Sequence, residues 1–367
     1  MSDAQRRLPA PATLPWIRVL TAVLLLALAR GEDKPMPQAR YEALARLELK
    51  GETASWMSCF HQPGSSLDQL TLKDLCLPGT HDSGALQVLA ASEKLATPWV
   101  VTQQLNLLQQ LQAGARRFDL RVMKVPAGNS KNRLPAGFYL HHGGYATLPL
   151  DEALRQIKSY LDSDSARTET ILFEFSHFQG FQRGQHAGSD YAVFLSQVQK
   201  MIGPHLLRRT KGAKPLVRLP LKDLKGKAVL LVETGSLFEG QPASPLVHRL
   251  HDGLPIYDRY ANRDRTDQMV ADQAEKFRQY DADDSLFLLN WTLTPRPSLG
   301  SLGGVRKLAK EANAQLRKHF QDPRQPFGRR NPAGHLVNLI NVDFFGGRDC
   351  QVLATCVETM RQSTVRK

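Results

Sequence analysis

Strand-like and helix-like segments alternate along most of this 367-residue chain, and this alternation limits the possible fold more than any other feature. Short apolar runs such as residues 171–175 are separated by stretches such as 150–161, in which apolar residues recur at helical spacing. Such alternation predicts parallel strands joined by crossover helices. We therefore expect an α/β fold, a single-domain distorted TIM-like (βα) barrel, with an open doubly wound sheet as the alternative.

The pattern allows about eight strands and five helices to be placed. The predicted strands are residues 72–77, 116–122, 138–142, 170–176, 228–233, 256–260, 286–291 and 336–344. The predicted helices are residues 103–112, 150–161, 191–206, 267–280 and 305–320. Because the carboxyl ends of parallel barrel strands meet at one mouth, polar side chains at those ends are expected to share one site.

The N-terminus has the pattern of an export signal. Arg6, Arg7 and Arg18 precede the apolar run 19–29, and polar residues follow at once. A run of ~11 residues suits a signal peptide better than a membrane span. We expect residues 1–29 to be a signal peptide, residues 30–54 a polar lead segment and residues 55–367 the barrel domain of a secreted or periplasmic protein. An uncleaved signal anchor is the alternative.

The chain is basic, with a formal net charge of +13 at pH 7. An excess of this size favours an anionic partner such as nucleic acid, an acidic membrane or a phosphorylated substrate. The charge is densest at residues 208–227, and a solvated surface loop is an equally good interpretation of that stretch. No aromatic residues interleave with these charges, so a stacking platform for single-stranded nucleic acid is not expected.

Four cysteines are present: Cys59, Cys76, Cys350 and Cys356. Export would place them in an oxidising compartment, where disulfides are permitted. A Cys350–Cys356 bond would close a short loop and leave Cys59 with Cys76, but the sequence does not determine the pairing. No pair has the spacing of zinc ligands, so no structural metal is expected.

Polar residues recur at the ends of the predicted strands: His81, Asp82, Asp119, Arg121, His142, Asp258, Tyr260 and Asp343. Histidine suits proton transfer near neutral pH, and the planar fork of arginine suits a phosphate. In one mouth these residues would form an acid–base set with a phosphate clamp. Glu174, on the fourth strand, fits a structural ion pair as well as catalysis. His177 has no partner at a useful spacing, and we assign it no role.

Three segments resemble the catalytic segments of the bacterial phosphatidylinositol-specific phospholipases C: LPGTHDSG at 77–84, GARRFDLR at 114–121 and LHHG at 140–143. The segments DRY at 258–260 and NVD at 341–343 follow in matching order. The resemblance covers roughly residues 55–345. It implies a distorted barrel that cleaves phosphatidylinositol, or a related phospholipid, to diacylglycerol and a cyclic inositol phosphate.

The resemblance also implies a role for each catalytic residue. His81 would be the general base for the inositol 2-hydroxyl, and Asp343 would hold its tautomer, as the carboxylate of a hydrolase triad does. His142 would be the general acid for the departing glyceride oxygen, assisted by Asp82.

The position of Arg121 bears on the metal requirement. Arg121 would hold the phosphate oxygens, with Asp119 orienting it. The eukaryotic relatives bind calcium here through an acidic residue at the position of Arg121 and an asparagine at that of Asp82. A guanidinium can replace the cation, and the two together would repel each other. We therefore expect no metal and no cofactor.

The headgroup is less well indicated than the chemistry. Asp258 and Tyr260 match the ring-binding aspartate and the stacking tyrosine of the bacterial enzymes. Ser176 and Glu233 stand where those enzymes have a lysine and an arginine. The segment EFSHF at 174–178 instead resembles the branch of the superfamily that consists of the X domain alone.

The alternatives are an X-domain phosphodiesterase with another headgroup, and a catalytically silent barrel that binds acidic lipids or inositol phosphates. As partners we expect a phospholipid at a membrane surface, through peripheral contact, and no nucleic acid. We expect a monomer.

Overall fold

A computed structural model of the protein describes nine stretches of the chain, which belong to one compact unit. These are residues 53–63, 66–128, 133–182, 189–209, 212–233, 244–250, 253–296, 303–347 and 350–363. The predicted signal peptide and all but the last two residues of the lead segment lie outside the described residues. In the described part of the chain, no helix is long and apolar enough to cross a membrane.

The centre of the fold is a curled sheet that contains eight parallel strands. Their order is β7-β6-β5-β2-β1-β10-β9-β8, and every neighbouring pair in this order is parallel. The strands of the fold are β1 (Leu77–Thr80), β2 (Arg117–Val125), β3 (Gly137–His142), β4 (Tyr145–Pro149), β5 (Thr170–Gln179), β6 (Lys227–Val232), β7 (Val247–Arg249), β8 (Ile256–Asp258), β9 (Leu286–Trp291) and β10 (Leu339–Val342). The predicted distorted barrel is confirmed.

Helices connect the parallel strands. They are α1 (Thr97–Val100), α2 (Leu107–Gln112), α3 (Leu150–Leu161), α4 (Asp190–Ile202), α5 (Leu221–Leu224), α6 (Thr266–Gln279), α7 (Gly304–Gln321) and α8 (Val352–Gln362). Short 3₁₀ helices occupy Thr53–His61, Leu67–Gln69, Leu72–Asp74, Ala91–Ala96, Asp164–Thr168, Gly203–His205 and Leu216–Arg218. In α3 the buried Leu150, Leu154, Ile157 and Leu161 recur at helical spacing, which is why the sequence pattern located this helix correctly.

The first predicted strand, residues 72–77, is wrong at its beginning. Leu72–Asp74 is a 3₁₀ helix, and the strand starts only at Leu77. The Asp74 carboxylate accepts a hydrogen bond of 2.9 Å from the backbone N–H of Thr71. Such a local side-chain bond competes with an extended strand and favours the turn of a helix.

The third predicted strand is not a parallel barrel strand, as the sequence interpretation had assumed. β3 pairs antiparallel with the far end of β2 and forms a hairpin with β4. The hairpin turn consists of Gly143 and Gly144, whose φ angles of 58° and 89° require residues that tolerate the left-handed region. Because β3 runs back along β2, His142 returns to the mouth of the barrel.

A buried ion pair fastens the first described helix to the amino-terminal side of the barrel. Arg116 is fully buried, and its Nε donates to Glu169 over 2.7 Å. Its Nη2 donates to the carbonyl of Ala54 over 2.7 Å, and Trp56 packs within 5.9 Å of the guanidinium. Removing one partner would leave the other charge buried, which costs about 3–5 kcal/mol.

The four cysteines are free thiols in the structure. Cys59 donates to the carbonyl of Trp56, whereas Cys356 on α8 hydrogen-bonds with Cys76, which directly precedes β1. Burial raises the pKa of both Cys59 and Cys356. The contact between Cys76 and Cys356 differs from the local pairs that the sequence permitted.

Candidate active site

The six residues assigned catalytic roles from the sequence lie together at the carboxyl ends of the barrel strands. The turn after β1 carries His81 and Asp82, and β2 carries Asp119 and Arg121. The remaining two residues are His142, at the end of β3, and Asp343, directly after β10. The parallel pairing of β1 with both β2 and β10 is what brings these segments side by side.

His81 is held from both sides of its ring. Its Nδ1 lies 2.8 Å from Oδ1 of Asp343, and its Nε2 lies 3.3 Å from Oδ2 of Asp82. Burial alone would lower the pKa of His81, but the two carboxylates outweigh it and raise the pKa to about 8. The short bond to Asp343 fixes the proton on Nδ1 and leaves the lone pair on Nε2, so Nε2 can accept a proton.

Arg121 is the cation at the centre of the cluster. Its Nε lies 2.8 Å from Asp82, and its Nη2 lies 3.0 Å from both Asp119 and Nε2 of His81. Burial opposes the charge of Asp119, but the guanidinium of Arg121, aided by Arg117, holds the pKa of Asp119 well below its usual range. Asp119 therefore stays ionised and orients Arg121.

The geometry of a metal site is present in these residues, but its ligand atoms are already in use. His81, Asp82 and Asp119 are a group of described residues close enough to hold an ion. The guanidinium of Arg121 contacts all three of them. A divalent cation there would lie against a permanent positive charge, so this donor set does not fit a metal.

His142 faces His81 across Asp82. Its Nε2 lies 3.4 Å from Oδ2 of Asp82, and its Nδ1 donates to the carbonyl of Val100 over 2.7 Å. The ring centroids of His81 and His142 are 6.3 Å apart. The carbonyl of Val100, at the end of α1, fixes the ring so that a proton on Nε2 points into the mouth.

Tyr260 covers the base, whereas Asp258 lies apart from the catalytic cluster. The ring of Tyr260 stacks on His81 with a centroid distance of 5.6 Å. Burial raises the pKa of Tyr260, so its hydroxyl stays protonated. Asp258 accepts a 2.6 Å hydrogen bond from Asn290 and is otherwise exposed at the end of β8.

A cavity of about 180 Å³ opens next to the two histidines. His81, His142, Tyr260 and Asp343 line its polar side. Its apolar wall is formed by Trp99, Leu293, Pro295 and Val305. A polar end with acid–base groups and an apolar wall suits an amphiphilic molecule.

Glu174 takes part in a buried ion pair below this cluster. Its carboxylate lies 2.6 Å from Nη2 of Arg117, and both side chains are buried. The register pairs Asp119 with Glu174, so both point into the barrel. This is the structural ion pair that the sequence left open for Glu174, and it places a second guanidinium beneath Asp119.

His177 has partners, contrary to the expectation from sequence. Its Nδ1 lies 2.8 Å from Oγ of Ser176, its backbone N–H donates to Glu233 over 2.7 Å, and its carbonyl accepts from Nε2 of His141 over 2.9 Å. The charge of Asp119 also interacts with His177. Sequence spacing gave no signal for it, because these partners lie on three different strand ends.

The chain is similar to several animal proteins with a phosphatidylinositol phospholipase C (PI-PLC) X domain. It is 25% identical over 320 residues to PI-PLC X domain-containing protein 3 of Danio rerio, covering 79% of this chain and 88% of the relative. It is 29% identical to the Mus musculus protein of that name, covering 79% and 89%. With the Homo sapiens protein the identity is 30%, over 46% of the relative's length.

Solved bacterial structures share the fold. Phosphatidylinositol-specific phospholipase C of Listeria monocytogenes superimposes with a TM-score of 0.55 at 21% identity, covering 84% of this chain and 99% of that chain. The Staphylococcus aureus enzyme of that name gives 0.58 at 19% identity, covering 85% and 98%. No protein-family model matches the chain. The chain is therefore similar over most of its length to PI-PLC X domain-containing proteins, and it shares the fold of the bacterial phosphatidylinositol-specific phospholipases C.

Proposed function

We propose that this protein is a phosphodiesterase of the lyase type that cleaves phosphatidylinositol, or a closely related phospholipid, to diacylglycerol and a cyclic phosphate. The observation that carries the proposal is the pair of histidines on opposite sides of Asp82. One of them, His81, is bound to Asp343 over 2.8 Å and to Arg121 over 3.0 Å, and the other, His142, lies 3.4 Å from Asp82. A base, an acid and a phosphate clamp are thus within reach of one phosphorus atom.

The reaction uses two proton transfers. Nε2 of His81 takes the proton from the headgroup 2-hydroxyl, whose oxygen then attacks the phosphorus of the same molecule. The bond from phosphorus to the glyceride oxygen breaks, and that oxygen receives the proton from Nε2 of His142. Because nucleophile and phosphorus share a molecule, proximity contributes much of the rate. Asp343 stabilises the cation that forms on His81.

Arg121 controls when the base is free. In the structure Arg121 donates to Nε2 of His81, the atom that accepts the proton. A phosphodiester offers anionic oxygens that match the two parallel donors of a guanidinium better than an imidazole nitrogen does. Substrate binding therefore draws Arg121 onto the phosphate and releases Nε2 for base catalysis. The same guanidinium balances the phosphate charge, so we propose that the reaction needs no metal ion.

The surface next to the cavity suits contact with a lipid membrane. Leu95 is 89% exposed and Trp99 is 53% exposed, and both lie on the segment that ends at Val100 beside His142. Trp99 also lines the cavity. Exposed apolar side chains at the entrance of a site indicate an apolar partner. We propose that this segment contacts the bilayer while the headgroup enters the mouth, and that the protein acts after export.

An X-domain phosphodiesterase with another headgroup is the second candidate. The observation that favours it is the pair Ser176 and Glu233, which stand at the mouth where the bacterial enzymes have basic residues. A catalytically silent barrel that binds acidic lipids is the third. Both histidines and their carboxylates are present in a connected cluster, which favours an enzyme.

Release of diacylglycerol from labelled phosphatidylinositol in vesicles tests the proposal. The wild-type protein should release it with and without a chelator. His81→Asn and His142→Asn should each lower the rate by on the order of 10²–10⁴-fold while the protein still binds vesicles. His205→Asn is the matched control, because this histidine pairs with Asp162 on the surface. Vesicle binding by the wild type without release from any phosphodiester would favour the silent barrel.

A further inference from the structure

Backbone strain in the described residues is concentrated at the mouth of the barrel. In the part of the chain that the structure describes, five non-glycine residues have positive φ angles; four lie at or after the carboxyl ends of parallel strands, and the fifth, Arg133, lies between β2 and β3. The other four are Asp82 (42°), His177 (51°), Asn262 (51°) and Phe344 (53°). Asp82 is in the catalytic cluster, and Phe344 follows Asp343. Strain of this kind persists where the surrounding structure holds a residue in a required position.

The proposed reaction gives no task to His177, Asn262 or Phe344, and of these three only His177 carries an imidazole ring that can bind a substrate hydroxyl. His177 lies in the last part of β5, directly after Ser176, which the register pairs with Arg121. It is exposed, yet its ring, N–H and carbonyl are each hydrogen-bonded to a different residue. An exposed residue fixed at three points in a strained conformation is positioned for an external partner.

The chemistry of the ring indicates the kind of partner. Nδ1 of His177 is used by Ser176. Among the described residues, nothing in the structure is hydrogen-bonded to its Nε2. Whichever ring nitrogen carries the proton, Nε2 can pair with a hydroxyl group, as a donor in one tautomer and as an acceptor in the other. A quaternary ammonium has neither a hydrogen-bond donor nor an acceptor, so it could not pair with Nε2.

The neighbouring carboxylates indicate which charged group the headgroup does not carry. The carboxylate of Glu233 binds the N–H of His177 over 2.7 Å. Glu233 follows β6, and Asp258 ends β8, so carboxylates stand on two sides of the same mouth. Like charges close together repel, and the effect grows where solvent is partly excluded. These carboxylates would repel a headgroup that carries a further phosphate.

We propose that His177 is a substrate-binding residue that contacts a hydroxyl of the headgroup beside the phosphate site of Arg121, and that Glu233 positions it and disfavours headgroups bearing an additional phosphate. This rests on the proposed function and specifies its substrate class: a hydroxylated headgroup whose only phosphate is the diester. Ser176 and His141 complete the support of His177.

The test compares variants of the full chain on phosphatidylinositol and on phosphatidylinositol 4-phosphate, with free myo-inositol as a competitor. His177→Gly removes the ring and relieves the strain, so it separates the side chain from the backbone. His177→Asn keeps a polar side chain that tolerates a positive φ. Glu233→Gln removes the charge and keeps an acceptor for the N–H of His177. His205→Ala is the matched control.

We expect His177→Gly to raise KM for phosphatidylinositol, and the myo-inositol concentration needed for inhibition, roughly three- to tenfold with a smaller change in kcat. His177→Asn should recover part of that loss. Glu233→Gln should raise the rate on the 4-phosphate relative to phosphatidylinositol by roughly tenfold.

Unchanged KM and inhibition in His177→Gly would overturn the inference, as would a fall in kcat and thermal stability alone. An unchanged substrate ratio in Glu233→Gln would overturn the assignment to Glu233. If the wild type cleaves neither lipid, the proposed function fails, and calorimetric titration with myo-inositol then decides. Weaker binding to His177→Gly than to wild type supports the contact, and equal binding or none contradicts it.

Discussion

Asp82 connects the acid and the base of the candidate site. One of its oxygens lies 3.3 Å from Nε2 of His81 and 3.4 Å from Nε2 of His142, while the other contacts Arg121. A proton lost by one histidine therefore changes the charge seen by the other. In the proposed reaction one histidine gains a proton while the other loses one, so the shared carboxylate interacts with the charge on both.

The raised pKa of His81 predicts a pH dependence. The base must be neutral, so kcat/KM should fall as the pH drops below about 8. Asp343→Asn removes a carboxylate that raises this pKa, so the acidic limb should move to lower pH, and the maximal rate should fall by on the order of 10²–10⁴-fold. Asp258→Asn is the control, and the acidic limb of its kcat/KM profile should stay at the wild-type pH.

The same raised pKa predicts the opposite pH dependence for stability: activity rises with pH, whereas the contribution of His81 to the stability of the fold is lost. A folded-state pKa of about 8, above the ordinary 6.5, means that protonated His81 stabilises the fold. This contribution is complete below pH 6.5 and is lost as the pH rises through 8. Denaturant unfolding of wild type and His81→Asn across this window measures it. A pH-independent difference between the two proteins would contradict the assignment.

Arg121 should not tolerate replacement by lysine. A lysine keeps the charge but cannot bridge Asp82 and Asp119 with fixed parallel donors. We expect Arg121→Lys to lower kcat/KM by on the order of 10²–10³-fold, against no change in Arg155→Lys on the surface. In Arg121→Asp the freed carboxylates should make any residual activity depend on added calcium. Wild-type activity that disappears with a chelator and returns with calcium would refute the metal-independent account.

The residues of the candidate catalytic cluster were predictable from sequence because they stand in the segments that resemble the catalytic segments of the bacterial phospholipases C. His177 was not, because what distinguishes it is a backbone angle and two partners distant along the chain, His141 and Glu233. Asp258 was placed with the ring-binding residues, and the structure puts it at the mouth but away from the histidines.

At the scale of elements, α1 is the helix that holds the ring of His142, the proposed general acid. The carbonyl oxygen of its last residue, Val100, accepts a hydrogen bond from Nδ1 of His142 over 2.7 Å. The start of α7 packs against α1 so closely that a Cβ on Gly304 would lie 2.0 Å from the carbonyl oxygen of Pro98. Gly304 also has a φ of +61°. A change at the start of α7 is therefore transmitted to His142.

Gly304→Ala should lower the free energy of unfolding by about 2–4 kcal/mol, from the clash and the backbone strain together. It should also lower kcat, because the displaced α1 no longer fixes His142. Gly334→Ala is the matched control, since that glycine has a φ of +89° with no atom within 4 Å of the added Cβ. Equal losses of activity in both variants would mean that strain alone explains the effect.

The exposed segment around Leu95 and Trp99 predicts a membrane-binding phenotype. Leu95→Gln combined with Trp99→Gln should reduce partitioning to phosphatidylcholine vesicles containing phosphatidylserine by roughly tenfold. Val193→Gln, at an apolar position on α4 that is 47% exposed, should not. Vesicle sedimentation measures this, and equal partitioning of the two variants would place the membrane contact elsewhere.

Elements with strong periodicity were predictable, and short or irregular ones were not. Residues 150–161 and 286–291 agree with α3 and β9 at both ends, because apolar spacing in these segments is unambiguous. β4, β7 and α8 were missed, and β7 has only three residues. The antiparallel course of β3 depends on the Gly143–Gly144 turn, a local signal that the βα alternation concealed.

The whole molecule places its chemistry on one face of the barrel. The catalytic residues and the exposed apolar segment lie at the carboxyl ends of the strands, whereas the basic stretch 212–227 leads into the start of β6. These basic residues therefore lie near the amino-terminal end of β6, at the opposite end of the barrel from the candidate catalytic cluster. A net charge of +13 contributes a general attraction to anionic surfaces, and in the proposed reaction Arg121 supplies the local contact with the phosphate.

The most direct test of the central claim is the identity of the first phosphorus product. Wild-type protein incubated with phosphatidylinositol in mixed vesicles, followed by phosphorus NMR, should produce the signal of a cyclic inositol phosphate before any open-chain monoester. His81→Asn should produce neither. An open-chain phosphate that forms first, without a cyclic precursor, would contradict attack by the headgroup hydroxyl and the roles given to His81 and His142.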